Sequence, residues 1–206
     1  MAERTPTSHE RATGRPWDAS YRDGPAPWDF GGPQPAVVRR AELFTGPVLD
    51  AGCGSGENAL FLAGRGLAVL GVDVAETALA LARERAAERG RTAEFATADA
   101  LHLEKLNRTF PEVLDCGLFH TFDTAERHAY ATSLAAVTER TLFLLCFADE
   151  GDDPGPHPVP RADLAAAFSA ESGWRITAVE PDRLMTRFHE HGAAAWFATI
   201  ERVRRG

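Results

Sequence analysis

The chain has 206 residues, enough for one domain with about seven strands and covering helices. Acidic residues outnumber basic ones, 30 against 22, and Lys105 is the single lysine, so the basic face that a nucleic-acid partner requires is missing from the composition. No apolar run reaches the roughly 18 residues of a membrane span and no leader-like apolar stretch opens the chain, so no membrane partner is expected and a cytoplasmic location is.

Residues 1–15 are rich in Thr, Ser, Arg, Glu and Pro and read as a flexible tail. Residues 16–35 change texture: Trp17, Tyr21, Trp28 and Phe30 fall among prolines and glycines. That much aromatic area cannot form a regular strand. Lying outside regular structure, it is either a strap on the core or, the reading adopted here, a lid over a site, since loops carry function on a rigid scaffold. The domain proper is expected over 36–206, beginning with a helix from Ala36 to Phe44.

From Val48 to Asp73 the pattern is strand, Gly-rich turn, helix from Ser55–Asn58, then a second apolar strand that stops on a carboxylate. Gly52, Gly54 and Gly56 let a ligand lie against the main chain. Asp73 sits where an open α/β sheet holds the hydroxyls of a ribose. A dinucleotide site wants G-x-G-x-x-G facing a pyrophosphate. Here the spacing is G-x-G-x-G, and Asp50 before it would repel a pyrophosphate but suit the ammonium of an amino-acid moiety.

Downstream, Ala75–Arg89 reads as a helix stopped by Gly90, Ala93–Asp99 as a third strand ending on an acid, and Leu101–Phe110 as a connection with a short helix. A fourth strand runs Val113–Phe119. Thr124–Val137 is helical, with Asp123 or Thr124 as N-cap and Glu126 in its first turn. The apolar run Arg140–Phe147 marks a central strand. A Gly/Pro/Asp loop spans Asp149–Pro160, a helix Arg161–Ala170, and two strands, near Trp174–Pro181 and Ala194–Val203, close the chain without a helix between them. The fold class is therefore α/β: a Rossmann-like, doubly wound, seven-stranded sheet with an antiparallel last strand. Cys53, Cys116 and Cys146, odd in number and without C-x-x-C, read as small buried hydrophobes rather than a disulfide or zinc framework, and no metal is expected.

The combination D-x-G-x-G-x-G at Asp50–Gly56, with Asp73 and Asp99 ending the next two strands, resembles class I S-adenosylmethionine-dependent methyltransferases. The pattern W-x-x-x-Y at Trp17–Tyr21, then P-W-D and G-x-P-Q-P, looks like the thiopurine methyltransferase group and the halide/thiol methyltransferases. The runs Leu118–Phe122, Leu144–Glu150 and Ala195–Ala198 look closer to bacterial heterocyclic toxin methyltransferases. The resemblance implies S-adenosyl-L-methionine as cofactor, leaving S-adenosyl-L-homocysteine as product. Asp50, Gly52, Cys53, Gly54 and Gly56 would hold its methionine part. Asp73 would take the ribose with Val74 beside the adenine, and Asp99 and Ala100 would read the adenine edge. Cys116 and Gly117, in the stretch Cys116–Phe119, would lie under the sulfonium, with Trp17 and Trp28 folded over the whole.

On the acceptor side, His120 follows the fourth strand, where an imidazole could take or orient a proton; equally it could tie the strand end to backbone carbonyls. Tyr21, Phe119, Phe122 and Phe147 could form a flat apolar slot for a planar substrate, while Phe143 and Phe197 read as core. Asp149, His157, His189 and His191 lie on loops that could reach it. The expected activity is methyl transfer to N or O of a small heteroaromatic compound by a monomer or homodimer. The alternatives are a thiol, chalcogen or halide acceptor, a nicotinamide-dependent oxidoreductase, and a non-catalytic donor-binding module.

Overall fold

A computed structural model describes residues 15–22 and 24–203; the tail expected over 1–15 lies outside them except for Arg15. In chain order the elements are α1 (Arg15–Arg22), α2 (Pro35–Arg39), β1 (Val48–Ala51), α3 (Glu57–Gly64), β2 (Val69–Asp73), α4 (Glu76–Glu88), β3 (Glu94–Thr97), β4 (Phe110–Cys116), α5 (Thr124–Val137), β5 (Thr138–Phe147), α6 (Arg161–Ala167), β6 (Trp174–Leu184) and β7 (Ala193–Arg202). Short 3-10 turns occupy Ala41–Leu43, Ala100–Leu106 and Phe119–Thr121.

The sheet order is β3-β2-β1-β4-β5-β7-β6. β3 through β5 are parallel, whereas β7 runs antiparallel between β5 and β6. The absence of a helix between the last two strands is the cause: a hairpin-like return can pair only antiparallel. Strand order reverses between β1 and β4, and a crevice opens there beyond the carboxyl ends of the strands.

Alternate side chains divide the interior. Leu49, Ala51, Val113, Leu142 and Leu144 pack beneath α5 and α6 with Phe110, Phe168, Trp174 and Trp196. Val48, Leu114, Phe143 and Phe197 face α2 and α3 with Phe44, Ala59 and Leu62. The residues read as core, Phe143 and Phe197, are in it. Burying an indole requires a partner for its N–H, and Trp174 and Trp196 donate to the carbonyls of Ala131 (3.1 Å) and Val159 (2.9 Å). α5 begins as its sequence requires: Asp123 Oδ1 accepts from the Glu126 amide (2.9 Å), and Glu126 Oε2 accepts from the Asp123 amide (3.1 Å), a reciprocal capping box.

Four expectations need correction. Trp17 and Tyr21 are not outside regular structure but on α1, one turn apart on the same face. The helix expected over Ala36–Phe44 breaks into α2 and a 3-10 turn, because Arg40 leaves helical geometry at φ −111°, ψ 19°. Asp99 does not end β3, which stops at Thr97; it caps the following 3-10 turn through Oδ1 and the Leu101 amide (2.9 Å). Phe119 has left β4, which stops at Cys116 before Gly117 adopts φ +88°.

Candidate active site

A cavity of about 250 Å³ lies beyond the carboxyl ends of β1, β2 and β4, at the point where strand order reverses. Backbone builds one end of it. After β1 the amides of Gly52 and Cys53 both donate to the Val72 carbonyl of β2 (2.8 and 2.9 Å), which pins the Gly-rich loop to the neighbouring strand. Gly54 sits at φ +52°, and a Cβ there would lie 2.6 Å from the Tyr21 hydroxyl. Both the dihedral and the close approach require glycine. Gly52 lines the cavity as well, whereas Gly56 does not: it is the N-cap of α3.

Asp73, the last residue of β2, accepts from the Gly54 amide through Oδ2 and the Ala75 amide through Oδ1, both at 2.9 Å. A carboxylate oxygen that accepts one amide can accept a second hydrogen bond. Burial raises its carboxyl above the usual range, and the amides of Ala75, Gly54 and Val74 oppose that rise. Val74, Ala98, Asp99, Ala100 and Leu101 form the adjoining wall.

Asp50 is placed differently from expectation. It is buried in β1 behind the loop and does not line the cavity, and its Oδ2 has no hydrogen-bond partner. Burial, then the negative charges of Asp115 and Asp73, push its carboxyl up to about 7, against the Ala59 amide. Asp115, on neighbouring β4, went unnoticed in the sequence. It is buried outright, and burial pushes it to about 7 against the amides that bond it. Its Oδ1 accepts from Leu118 (3.0 Å) and Phe119 (3.3 Å), so it pegs the turn that carries His120.

The opposite end draws on distant segments. His120, Thr121 and Phe122 come from the turn after β4, Phe147 from the end of β5, Pro156 from the following loop, and Leu184, Thr186, Phe188 and His189 from the β6–β7 connection. The His120 ring lies 4.3 Å from that of Phe147. Burial, followed by His157 and Arg127, lowers its pKa to about 3, so the ring is neutral at physiological pH. The Thr186 hydroxyl accepts from the amides of Phe188 and His189 (3.2 Å each), so its own proton goes to His189 Nδ1 at 2.6 Å. That sets the His189 tautomer as Nε2–H, aimed toward Asp153 at 3.9 Å.

The 16–35 segment covers both ends. Asp18 Oδ1 accepts from the Thr77 amide in the first turn of α4 (2.9 Å), anchoring α1. Trp28 donates its indole N–H to the Tyr21 hydroxyl (2.9 Å) and meets Trp17 edge to face at 5.6 Å. Asp29 is buried, accepting from Ser55 (2.7 Å) and pairing with Arg85 (3.1 Å). Gln34 exchanges two hydrogen bonds with the Met185 backbone (2.9 and 2.8 Å), and Pro27 O accepts from Arg187 (2.9 Å), joining this segment to the β6–β7 connection.

Of the residues singled out from sequence, Gly52, Cys53, Gly54, Asp73, Val74, Asp99, Ala100, Cys116, Gly117, Trp17, Trp28, Tyr21, His120, Phe122 and Phe147 converge on the cavity. Asp50, Gly56, Phe119 and Asp149 do not line it, nor do His157 and His191. Phe119 turns into the core against Phe168, ring centres 5.4 Å apart, because the Asp115 peg closes the turn above it. Asp149 is exposed. His189 and Leu118 also reach it, as expected, while Asp29, Gln34, Asn58, Glu126, Leu184, Thr186 and Phe188 line the cavity unforeseen. The Asp of P-W-D was legible for Asp29; nothing local marks the others. The cysteines are free thiols, and no described helix is long and apolar enough to cross a membrane.

A family profile described as a methyltransferase domain matches residues 48–141. A 2-heptyl-1-hydroxyquinolin-4(1H)-one methyltransferase of Mycobacteroides abscessus is 36% identical over 81% of this chain and 78% of its own. A solved structure from work on the conversion of a disulfide bond into a thioacetal group during echinomycin biosynthesis superposes with a TM-score of 0.80, at 36% identity over 92% of this chain and 93% of the other. Magnesium protoporphyrin IX methyltransferase from Synechocystis PCC 6803, solved with bound S-adenosylmethionine, gives a TM-score of 0.61 at 26% identity over 80% and 74%.

Proposed function

Because this chain belongs to the S-adenosylmethionine-dependent methyltransferases, we propose that it methylates an N or O atom of a small, planar heteroaromatic compound. The residues present fit the donor. A backbone cradle at Gly52–Gly54 that a Cβ would fill, a strand-end carboxylate with free lone pairs, and a buried carboxylate oxygen lacking a partner together suit a nucleoside that also carries an ammonium. Bound there, S-adenosylmethionine supplies an electrophilic methyl group on a sulfonium.

The chain's own residues then do three things. Asp73 holds the ribose and the Asp99–Leu101 wall receives the adenine. The Gly52–Gly54 backbone seats the amino-acid part, with Asp50 supplying negative charge from behind. The 16–35 segment acts as a lid that shuts out water, so that orientation and desolvation carry the rate. No metal enters this scheme.

The single observation that carries the acceptor class is the aromatic share of the cavity lining. Phe122, Phe147, Trp28 and Phe30, with one buried imidazole, make a largely apolar slot suited to a flat ring bearing one polar group. The hydroxyquinolone-methylating relative supports the same class. A sulfur acceptor is the second reading, favoured by the chemistry at sulfur named for the structure with TM-score 0.80. The test is an acceptor panel of hydroxyquinolones, phenols, azoles, thiols and iodide, read by S-adenosylhomocysteine release. Turnover confined to the ring compounds is expected; turnover confined to thiols or iodide would install the second reading.

A further inference from the structure

His120 is nine-tenths buried, lines the cavity, and leaves its Nδ1 without a hydrogen-bond partner. A buried polar side chain left unpaired is costly, so an imidazole without a partner on the wall of a cavity points to one supplied by a ligand. The surroundings decide what kind. A histidine that serves as a base is ordinarily backed by a carboxylate that stabilises the imidazolium. Among the described residues no carboxylate bonds this ring. Asp123, the nearest along the chain, spends Oδ1 on the Glu126 amide, and Asp115 spends Oδ1 on the amides of Leu118 and Phe119. The groups whose charges act on His120, Arg127 from α5 and His157 from the loop after β5, both disfavour an imidazolium; Glu126, also on the cavity wall, uses Oε2 to cap α5, and the Phe147 ring lies between His120 and His189. Arg127 is itself buried, pairs with Asp163 and leaves its Nε unpartnered.

Building on the methyl-transfer reading above, we infer that His120 removes no proton but donates its ring N–H to an acceptor that enters as an anion, which narrows the substrate to heteroaromatic compounds whose hydroxyl is acidic enough to be ionised near neutral pH. The oxide lone pair forms the new O–C bond as the C–S electron pair returns to sulfur. The hydroxyl proton has already gone to solvent, so no protein group needs to receive one. The depressed basicity of the ring agrees with this: an imidazole that stays neutral down to about pH 3 is a poor base.

The experiment uses the full chain and hydroxylated heteroarenes whose own pKa values run from about 5 to about 9, with kcat/KM followed by S-adenosylhomocysteine release from pH 6 to 9. The absorbance of each acceptor is recorded in parallel on the protein saturated with S-adenosylhomocysteine. The expected result is a profile that breaks at each acceptor's own pKa, and an anionic spectrum on the protein about one pH unit below where free acceptor shows it. His120→Gln keeps an N–H donor and should retain those breaks. His120→Phe should lose the spectral shift together with about 100-fold in kcat/KM. One breakpoint shared by all acceptors, absent from His120→Gln, would overturn the inference in favour of a base, and so would acceptors that bind in their neutral form. The acceptor series on unaltered protein decides the matter even if neither variant folds. An anionic spectrum without any S-adenosylhomocysteine release would instead sink the methyl-transfer reading while leaving the role of His120 intact.

Discussion

The two ends of the cavity are built on different principles. At the proposed donor end, main-chain amides and the strand-end carboxylate of Asp73 come from a stretch running from β1 to the turn after β3, and parallel pairing fixes their spacing. At the acceptor end, aromatic and imidazole side chains arrive from the turn after β4, the end of β5, the β6–β7 connection and the aromatic segment before β1. One end is set by backbone and tolerates little change; the other is set by side chains and can be retuned without disturbing the sheet. On the proposed function, the difference assigns affinity for the donor to one end and choice of acceptor to the other, and the two should be separable by mutation.

The largest effect should come from Asp73→Ala. Losing charge-assisted bonds to two ribose hydroxyls, and the bond that fixes Gly54, should weaken S-adenosylhomocysteine binding by about 100-fold or more. Calorimetry measures it, and circular dichroism checks that the sheet survives. An affinity within about twofold of the unaltered protein would break the comparison at its donor end.

Gly54→Ala comes next. The new methyl would meet the Tyr21 hydroxyl in a left-handed backbone position. A loss of about tenfold in donor affinity is expected, and Gly54→Ala combined with Tyr21→Phe should recover part of it.

Asp50→Asn separates charge from shape. The folded protein holds the Asp50 proton up to about pH 7, whereas the unfolded chain releases it near 3.8. Between those values the folded state binds more protons, so stability falls as pH rises through the window. The amide removes that loss: melting temperature at pH 8 should rise by a few degrees over the unaltered protein, with a smaller gain at pH 5. Donor affinity should move the other way. In the unaltered protein it increases from pH 6 to 8 as the carboxylate forms beside the donor's ammonium; in Asp50→Asn that increase should vanish. A pH-independent affinity in both proteins would remove Asp50 from the donor site.

The smallest effect is reserved for Phe188. Its ring is 77% exposed although it lines the cavity rim. Phe188→Ala should raise acceptor KM by about threefold to tenfold and leave donor affinity and melting temperature unchanged. A matching loss of donor affinity would show that the two ends are not independent.

The same contrast explains what could be read before any coordinates. Asp50, the glycine triplet and Asp73 lie within 24 residues of one another, and their meaning follows from local rules for turns, caps and strand ends. Even the antiparallel pairing of the last two strands follows from a missing helix. The acceptor end has no such economy. Leu184, Thr186 and Phe188 reach the cavity because β7 inserts between β5 and β6, and no property of those residues announces it. An acid in an apolar strand, such as Asp115, carries no motif; its function, pegging the Leu118–Phe119 turn, exists only in three dimensions. Trp17 and Tyr21 were noticed for their area, but the spacing of four that places them on one helical face was overridden by the surrounding prolines.

The most direct test of the division into a backbone-built donor end and a side-chain-built acceptor end is a crystal structure of the full chain with S-adenosylhomocysteine. The ribose hydroxyls should rest on Asp73, the adenine against Asp99–Leu101 and the amino-acid part over Gly52–Gly54, with the sulfur turned toward His120 and Phe147. A nucleoside bound against the Phe147–Phe188 wall, with Asp73 still engaged only by the amides of Gly54 and Ala75, would contradict it.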